Sequence, residues 1–237
     1  MLHLQNLDKR FGGVHALEDV SISFGSGEFT GLIGPNGSGK TTLLNCVCGL
    51  YAPDSGRIRY RERVISTMRP HEVFKLGIGR TFQISKVFHR LTVLDNLKIP
   101  ALTEGKLSRR EISRRSVDIL KSIRMEALGN SPAGSLSGGQ KKLLEIGMIM
   151  MIDPDLLLLD EPFGGVHPEL KAQLESYLNL LHGSGKTIIL VSHEIPSLFR
   201  LCTRLIVLDH GMLIMEGEPE AVRRDQRVID AYLGGAQ

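Results

Sequence analysis

The chain has 237 residues, a formal net charge of +3, and a composition that is 42% hydrophobic and 23% charged. These values are typical of a globular protein of one large domain or two packed lobes; they exclude an intrinsically disordered chain and give no argument for nucleic-acid binding. The most apolar stretch, Ile146 to Ile152, is far shorter than a membrane span.

No charged-then-apolar leader follows Met1, so we expect a soluble intracellular protein unless it docks on a membrane partner. The three cysteines, Cys46, Cys48 and Cys202, contain no Cys-x-x-Cys spacing. We therefore expect reduced, buried thiols rather than metal ligands or disulfides.

The first predicted elements are antiparallel strands within residues 2–24, where apolar and polar residues alternate. The expected inward-facing residues are Leu2, Leu4, Leu7, Val20, Ile22 and Phe24. Phe11 lies in a turn-like Phe-Gly-Gly, where its ring either covers a strand edge or stacks on a purine base. The short apolar run Phe29 to Ile33 predicts a further strand.

The next segment matches the phosphate-binding (Walker A) pattern Gly-x-x-x-x-Gly-Lys-Ser/Thr. Its residues are Gly34, Pro35, Asn36, Gly37, Ser38, Gly39, Lys40, Thr41 and Thr42. The glycines let successive N–H groups face one anion, and the helix predicted over Thr41–Cys48 adds the positive end of its dipole. We expect Lys40 to reach the β- and γ-phosphates of a nucleotide, and the Thr41 hydroxyl to hold Mg²⁺.

The middle of the chain is predicted to be largely helical. A strand or hairpin over Arg57–Ile65 and a short helix over Pro70–Leu76 come first, followed by an exposed strand and loop over 77–83. Residues 92–130 are predicted to be helical because Val117, Leu120 and Ile123 recur near helical spacing. We interpret the basic residues of this region as a solvated face: Arg109, Arg110, Arg114, Arg115, Lys121 and Arg124.

A second strong helix is predicted over Lys141–Met151 and ends at Asp153-Pro154. The run Leu156 to Leu159 that follows is typical of a strand buried on both faces. Helices over 168–182 and 195–202 then alternate with strands over 187–191 and 205–208, before a helical tail over 219–233. This alternation predicts a parallel sheet with helices on its faces.

Two acids, Asp160 and Glu161, follow the apolar strand directly. They are therefore expected at the carboxyl edge of the parallel sheet, where ligands bind. In combination with the phosphate loop, Asp160 is expected to hold Mg²⁺ through water. Glu161 is expected to accept a proton from the water that attacks the γ-phosphate.

Just before the Lys141–Met151 helix stands Leu136-Ser137-Gly138-Gly139-Gln140, in which Ser137 and two glycines would form a second anion-binding nest. A capped helix start would explain Ser137 alone. With the phosphate loop and the acidic strand, this signature resembles that of the ATP-binding-cassette (ABC) ATPase family. The resemblance implies that two subunits dimerise head to tail, so that each signature closes over its partner's nucleotide.

The same resemblance implies roles for three single residues. Gln83 would touch Mg²⁺ and the attacking water near the membrane partner, His193 would contact the γ-phosphate, and Phe11 would stack on the base. His167 departs from the family pattern, because an Asp is common at this place in the loop after Glu161. His167 is either a surface residue before a helix that starts at Pro168, or a hydrogen-bonding residue at the dimer interface.

The implied fold is α/β. A phosphate-loop NTPase core with a parallel sheet and an antiparallel β-subdomain would occupy about 1–83 and 151–237, and an inserted α-helical subdomain about 84–150. The implied function is ATP hydrolysis, with ATP and Mg²⁺ bound, that drives a membrane transporter. The partners would be separate permease subunits and a second ATPase subunit, identical or different, at the cytoplasmic face of the membrane.

Three local segments narrow the resemblance: Arg80 to Gln83, Leu91 to Leu97 and Val228 to Gly234. They are similar to the ATPase subunits of branched-chain amino-acid uptake systems, which would add a solute-binding protein; urea importers and lipopolysaccharide exporters are close relatives. A DNA-repair or ribosomal ABC ATPase would need a coiled-coil insertion or a second cassette, and the sequence shows neither. A scaffold ATPase of iron–sulfur cluster assembly stays open.

Overall fold

The computed structural model describes residues 1–234, and the first part of this range builds an antiparallel sheet. Its strands are β1 (Leu2–Phe11), β2 (Val14–Phe24), β4 (Ser55–Tyr60) and β5 (Arg63–Val64), in the order β2-β1-β4-β5. All the residues predicted to face inward in β1 and β2 are buried. The alternation of residues 2–24 therefore predicted this sheet correctly.

A second sheet carries the phosphate loop. Its strands are β3 (Phe29–Ile33), β6 (Ile78–Arg80), β7 (Leu156–Asp160), β8 (Thr187–Val191), β9 (Arg204–Asp209) and β10 (Met212–Gly217). Their order is β10-β9-β3-β8-β7-β6; all neighbours are parallel except β9 and β10, which are antiparallel. The mixed α/β fold that we expected is confirmed.

In chain order, most of the described helices connect successive strands, and the last two follow β10. They are α1 (Lys40–Val47), α2 (Pro70–Lys75), α3 (Val93–Glu104), α4 (Arg109–Ser122), α5 (Gly138–Met150), α6 (Pro168–Gly183), α7 (Ile195–Leu201), α8 (Pro219–Arg224) and α9 (Gln226–Gly234). Within residues 1–234, none of them combines the length and the hydrophobicity that a membrane crossing requires.

The central strands are buried on both faces. Leu157 and Leu159 of β7 pack into one hydrophobic core, which includes α5 and α6, whereas Leu156 and Leu158 pack into a second core with the antiparallel sheet. The second core also contains Cys46 of α1 and Cys48 directly after it, and the first contains Cys202. All three thiols are free and buried, as the sequence predicted.

Several predicted elements need correction. The helical region 92–130 is interrupted, because α3 ends at a left-handed Gly105 and α4 starts at Ser108, whose side chain forms a capping box with Glu111. Val117 faces solvent with 42% of its surface exposed, rather than packing with its neighbours. The strand predicted as exposed is buried at Ile78, since β6 pairs with β7 in the sheet.

The C-terminal part of the chain holds the one strand that the sequence interpretation missed in the described range. β9 and β10 form a hairpin, and the turn residues His210 and Gly211 both have positive φ, which is typical of a tight two-residue turn. The predicted helical tail is two helices, α8 and α9, separated at Asp225.

Candidate nucleotide site

The phosphate loop connects β3 to α1, and close contacts explain two of its glycines. A Cβ atom at Gly34 would lie 2.0 Å from the Leu208 carbonyl oxygen, and one at Gly39 would lie 2.4 Å from the Ala16 carbonyl oxygen. Both residues have positive φ, which side chains disfavour. The loop therefore lies directly on neighbouring backbone.

Lys40 lies inside the cup that this loop forms. Its ammonium donates hydrogen bonds to the carbonyl oxygens of Gly34 at 2.7 Å and Pro35 at 2.8 Å, and it lies 3.2 Å from Ser38 Oγ. Burial lowers the pKa of Lys40, and the carboxylates of Glu161 and Asp160 oppose that shift. The loop thus holds a positive charge in place where an anion would bind.

A cavity of 260 Å³ beside this loop is lined by residues from five separate segments of the chain, including Ala16 of β2. Most of the predicted phosphate-loop residues line it, from Asn36 to Thr42, and so do Gln83, Asp160, Glu161 and His193. Gly34 and Pro35 lie behind the wall, where their carbonyls hold Lys40. The structure therefore brings together in one cavity the loop and all the predicted catalytic and metal-binding residues.

Asp160 ends β7 and is almost fully buried. Its Oδ2 lies 3.3 Å from a guanidinium nitrogen of Arg80, and its N–H donates to Thr81 Oγ1 at 3.1 Å. Arg80 also donates to Asn45 of α1 at 2.6 Å. The sequence interpretation gave Arg80 no role, although it ties the acidic strand to the helix after the phosphate loop.

Glu161 has a left-handed backbone, with φ of 50°, directly after the strand. Its Oε2 accepts the His193 N–H at 3.3 Å, and its Oε1 lies 3.2 Å from His193 Nε2. That second contact is not a hydrogen bond, and Oε1 is buried with no hydrogen-bond partner in the described residues. Burial raises the pKa of Glu161, and the neighbouring His193 opposes the shift. An unpartnered carboxylate oxygen at a cavity wall fits a residue that receives a proton from water.

The cavity residues also fit Mg²⁺ bound together with a nucleotide. A hydroxyl, an amide and a carboxylate, from Thr41, Gln83 and Asp160, line the same space as the phosphate loop. Among residues 1–234, no group of three His, Cys, Asp or Glu side chains is close enough to hold a metal without other ligands. Such an arrangement suits Mg²⁺, which is commonly held by few protein ligands plus substrate phosphates and water.

The signature lies outside this cavity. Ser137 caps α5, since its Oγ accepts the Gln140 N–H at 3.3 Å and the Gln140 side chain accepts the Ser137 N–H at 2.9 Å. Leu136 and Gly139 are buried, whereas Ser137 and Gly138 are exposed. A Cβ atom at Gly138 would meet nothing within 4 Å. One chain alone therefore leaves Ser137 and Gly138 at the start of α5 exposed, while the Gln140 N–H is bonded to the Ser137 side chain.

Phe11 also lies outside the cavity lining. It ends β1 with 41% of its surface exposed, and its ring contacts that of Tyr51 edge to face, with ring centroids 5.0 Å apart. The base-stacking role stays a prediction. His167 is exposed at the N-cap of α6, and its side chain makes no capping hydrogen bond.

Three residues that sequence reasoning missed support the site from outside. Lys142 and Glu145 of α5 hydrogen-bond the backbone around Gln83. The Tyr232 hydroxyl of α9 accepts the Gly34 N–H at 2.9 Å. Lys142 and Glu145 could have been identified as charged residues on the buried face of α5. The sequence alone does not show which face of this helix is covered.

Comparisons with known proteins agree with this geometry. The family model described as ABC transporter matches residues 17–164, and that described as branched-chain amino acid ATP-binding cassette transporter matches residues 212–237. A probable branched-chain amino acid transport ATP-binding protein, LivG, of Archaeoglobus fulgidus is 37% identical, and the match covers 99% of this chain and 95% of the relative. The lipopolysaccharide export system ATP-binding protein LptB of Escherichia coli is 34% identical, with 98% and 97% covered.

Solved structures give the same result. A crystal structure of the ADP conformation of an ATP-binding cassette from an ABC transporter superimposes with a TM-score of 0.90 at 33% identity, covering 99% of this chain and 98% of that one. A dimeric cassette in a post-hydrolysis state, bound to ADP and Pi, has a TM-score of 0.83 at 28% identity and covers 92% of this chain and 99% of that one.

Proposed function

The chain belongs to the ABC transporter family of ATP-hydrolysing subunits, and on that premise we propose that it powers a membrane transporter that imports branched-chain amino acids or related small polar solutes. The relatives named LivG and the family match over residues 212–237 support this substrate class. The observation that carries the proposed chemistry is the single cavity that unites the phosphate loop with Asp160, Glu161, Gln83 and His193.

In this proposal the phosphate loop and Lys40 bind the phosphates, and catalysis consists largely of positioning and charge neutralisation. When bound, Mg²⁺ would neutralise developing charge on the phosphate oxygens, and Thr41, Gln83 and Asp160 are the residues that would hold it. Glu161 accepts the proton of the attacking water through its unpartnered Oε1. His193 lies against Glu161 and orients that carboxylate toward the γ-phosphate side of the cavity.

The experiment that tests this assignment compares Glu161→Gln with Glu194→Gln, a matched substitution outside the cavity lining. Glu161→Gln should still bind ATP in an equilibrium titration, but should lose about 100-fold or more of its phosphate release. Glu194→Gln should keep both properties. Turnover of Glu161→Gln within about threefold of the parent protein would remove Glu161 from the base role.

We further propose that two subunits form the working unit, with each signature completing the partner's nucleotide site. The exposed Ser137 and Gly138 at the start of α5 support this, because in one chain they do not line the cavity. The structure of a dimeric cassette with ADP and Pi, similar to this chain, also supports it. The helical segment 84–150, which includes α3 and α5, would then move as one subdomain.

The permease is proposed to dock beside Gln83. Ile84, Phe88 and Leu91 are exposed apolar residues in this region, with 76%, 51% and 40% of their surfaces exposed. Val93 is fully buried, so it belongs to the core of the helical segment and is not part of this contact surface. A permease that docks here would hold this subunit at the cytoplasmic face of the membrane.

Lipopolysaccharide export is the second candidate, and it is favoured by the LptB relatives, which match over nearly their whole length. The two candidates differ in the permease. Reconstitution of the purified subunit with each type of permease in lipid vesicles tests them, because only the correct permease should bind the subunit and stimulate its ATPase activity. Stimulation by the lipopolysaccharide permease alone would overturn the importer assignment.

A further inference from the structure

Two buried ionisable side chains of α5 take no part in the cavity. Lys142 has 7% of its surface exposed and Glu145 only 4%, and they lie one helical turn apart. Burial lowers the pKa of Lys142 and raises that of Glu145, since water no longer stabilises either charge. The attraction between the two charges opposes both shifts, and hydrogen bonds to the surrounding chain offset more of the cost of burial.

Four of these hydrogen bonds are with the backbone next to Gln83. Lys142 Nζ donates to the carbonyl oxygens of Phe82 at 3.1 Å and Gln83 at 2.5 Å. Glu145 Oε1 accepts the N–H groups of Phe82 at 3.2 Å and Lys86 at 3.3 Å. The two side chains therefore hold both the donor and the acceptor of Phe82, immediately before Gln83.

The Gln83 segment (residues 82–89) has no helix or strand of its own to fix it. Its far end is held in the same manner, because Asn96 of α3 bonds both the N–H and the C=O of Phe88, at 2.7 and 3.0 Å. The position of Gln83 in the cavity is thus determined by side chains from the helical segment rather than by local structure.

We propose that Lys142 and Glu145 are positioning residues that couple the signature end of α5 to Gln83. Ser137 starts the same helix, so it lies only about 7.5 Å along the axis from Lys142 at the usual rise per residue. An α-helix of this length moves as a rigid unit. If the partner's nucleotide draws Ser137 inward, the Lys142–Glu145 pair therefore moves Gln83 of the same chain relative to its own nucleotide.

This inference rests on the proposed function, in which Ser137 contacts the partner's nucleotide. A further observation shows how strongly Glu145 depends on this segment. The second oxygen of Glu145, Oε2, is buried without a hydrogen-bond partner in the described residues. Glu145 therefore depends on the two backbone N–H groups of the Gln83 segment for its hydrogen bonds, so the segment and α5 are expected to move together.

The test compares Lys142→Met, which removes the donor and keeps the length of the side chain, with Lys141→Met as a control on the neighbouring, more exposed position. In the Glu161→Gln background, hydrogen exchange of residues 82–86 is measured with and without ATP, alongside dimer formation. We expect ATP-dependent protection in the parent and the control. The Lys142→Met chain should still form the ATP-dependent dimer but show no added protection of the segment.

In the otherwise unchanged protein, Lys142→Met should lower kcat by about 10- to 100-fold with little change in KM, because a small displacement of a positioned group costs this much. A merely structural role would instead lower the melting temperature and leave the ATP-dependent protection in place. At Glu145, Gln keeps an acceptor and should retain more turnover than Leu; equal turnover of the two variants would overturn the proposal.

Normal protection and normal kcat in Lys142→Met would also overturn it. If Lys142→Met does not fold, the comparison of Glu145→Gln with Glu145→Leu decides in the same assays. Failure of the proposed function gives a different result: the parent protein itself would show no ATP hydrolysis or no ATP-dependent dimer.

Discussion

The contact between Tyr232 and the phosphate loop leads to a quantitative prediction for Tyr232→Phe. The substitution removes only a hydroxyl, which accepts the N–H of the buried Gly34 at 2.9 Å. A buried N–H left without a partner costs roughly 1–3 kcal/mol, and the partial exposure of Tyr232 lets water recover some of this. We therefore take about 1 kcal/mol as the expected loss.

That loss should appear in two measurements. The melting temperature of the nucleotide-free protein should fall by about 2–4 °C, as expected for 1 kcal/mol in a chain of this size. Affinity for ATP should fall by up to about fivefold, the equivalent of about 1 kcal/mol. The reason is that the Gly34 carbonyl accepts a hydrogen bond from Lys40 at 2.7 Å, so a displaced Gly34 would also displace Lys40.

Tyr51→Phe is the matched control. Tyr51 has the same exposed fraction, 39%, and its hydroxyl makes no hydrogen bond with other described residues, while its ring contacts Phe11. This variant should match the parent protein in both assays. If Tyr232→Phe also matched the parent in melting temperature and in ATP affinity, the contact with Gly34 would have no energetic importance and the reasoning would be refuted.

Three further predictions concern the shared site, docking and the loop after Glu161. Mixing Lys40→Ala chains with Ser137→Arg chains should restore part of the turnover that each lacks, because a mixed dimer keeps one intact composite site; no recovery at any ratio, with both chains folded, would contradict the shared site. Phe88→Asp should keep ATP binding but weaken sedimentation with permease-containing membranes, and normal recruitment would remove Phe88 from the contact surface. His167→Asp should raise the melting temperature by about 2–4 °C, because Asp accepts N–H groups at an N-cap where this imidazole does not; an unchanged melting temperature would argue against that capping.

The fold was predictable wherever the residues of one segment determine its structure. The apolar runs of β3, β7 and β8 predicted strands, that of β7 as buried on both faces, and the glycines with Lys40 predicted the loop between β3 and α1. The sequence also contains the signals for the interruption between α3 and α4, namely Gly105 followed by the Ser108–Glu111 capping box. The interpretation overlooked them because the pattern on both sides is helical.

Features that depend on contacts between distant segments could not be predicted. Ile78 is buried because β6 pairs with β7, almost 80 positions away along the chain. β10 is a partly exposed edge strand; its apolar run Met212 to Met215 and the His210-Gly211 turn were the signals that the sequence interpretation overlooked. The same limit applies at the site, where Tyr232 approaches Gly34 across most of the length of the chain.

The three buried thiols can be used as built-in probes of local opening on the two sides of the sheet. Cys46 and Cys48 lie on one side of the parallel sheet and Cys202 on the other. Burial raises the pKa of the first two to about 11 and that of Cys202 to about 12, so an alkylating reagent reacts only after the surrounding helix has opened. The rate at which each thiol is alkylated therefore measures how often its side of the sheet opens. If nucleotide slowed the alkylation of Cys46 and Cys48 but not that of Cys202, ligand binding would suppress local opening on the phosphate-loop side of the sheet. Opening on the opposite side would then be independent of the ligand.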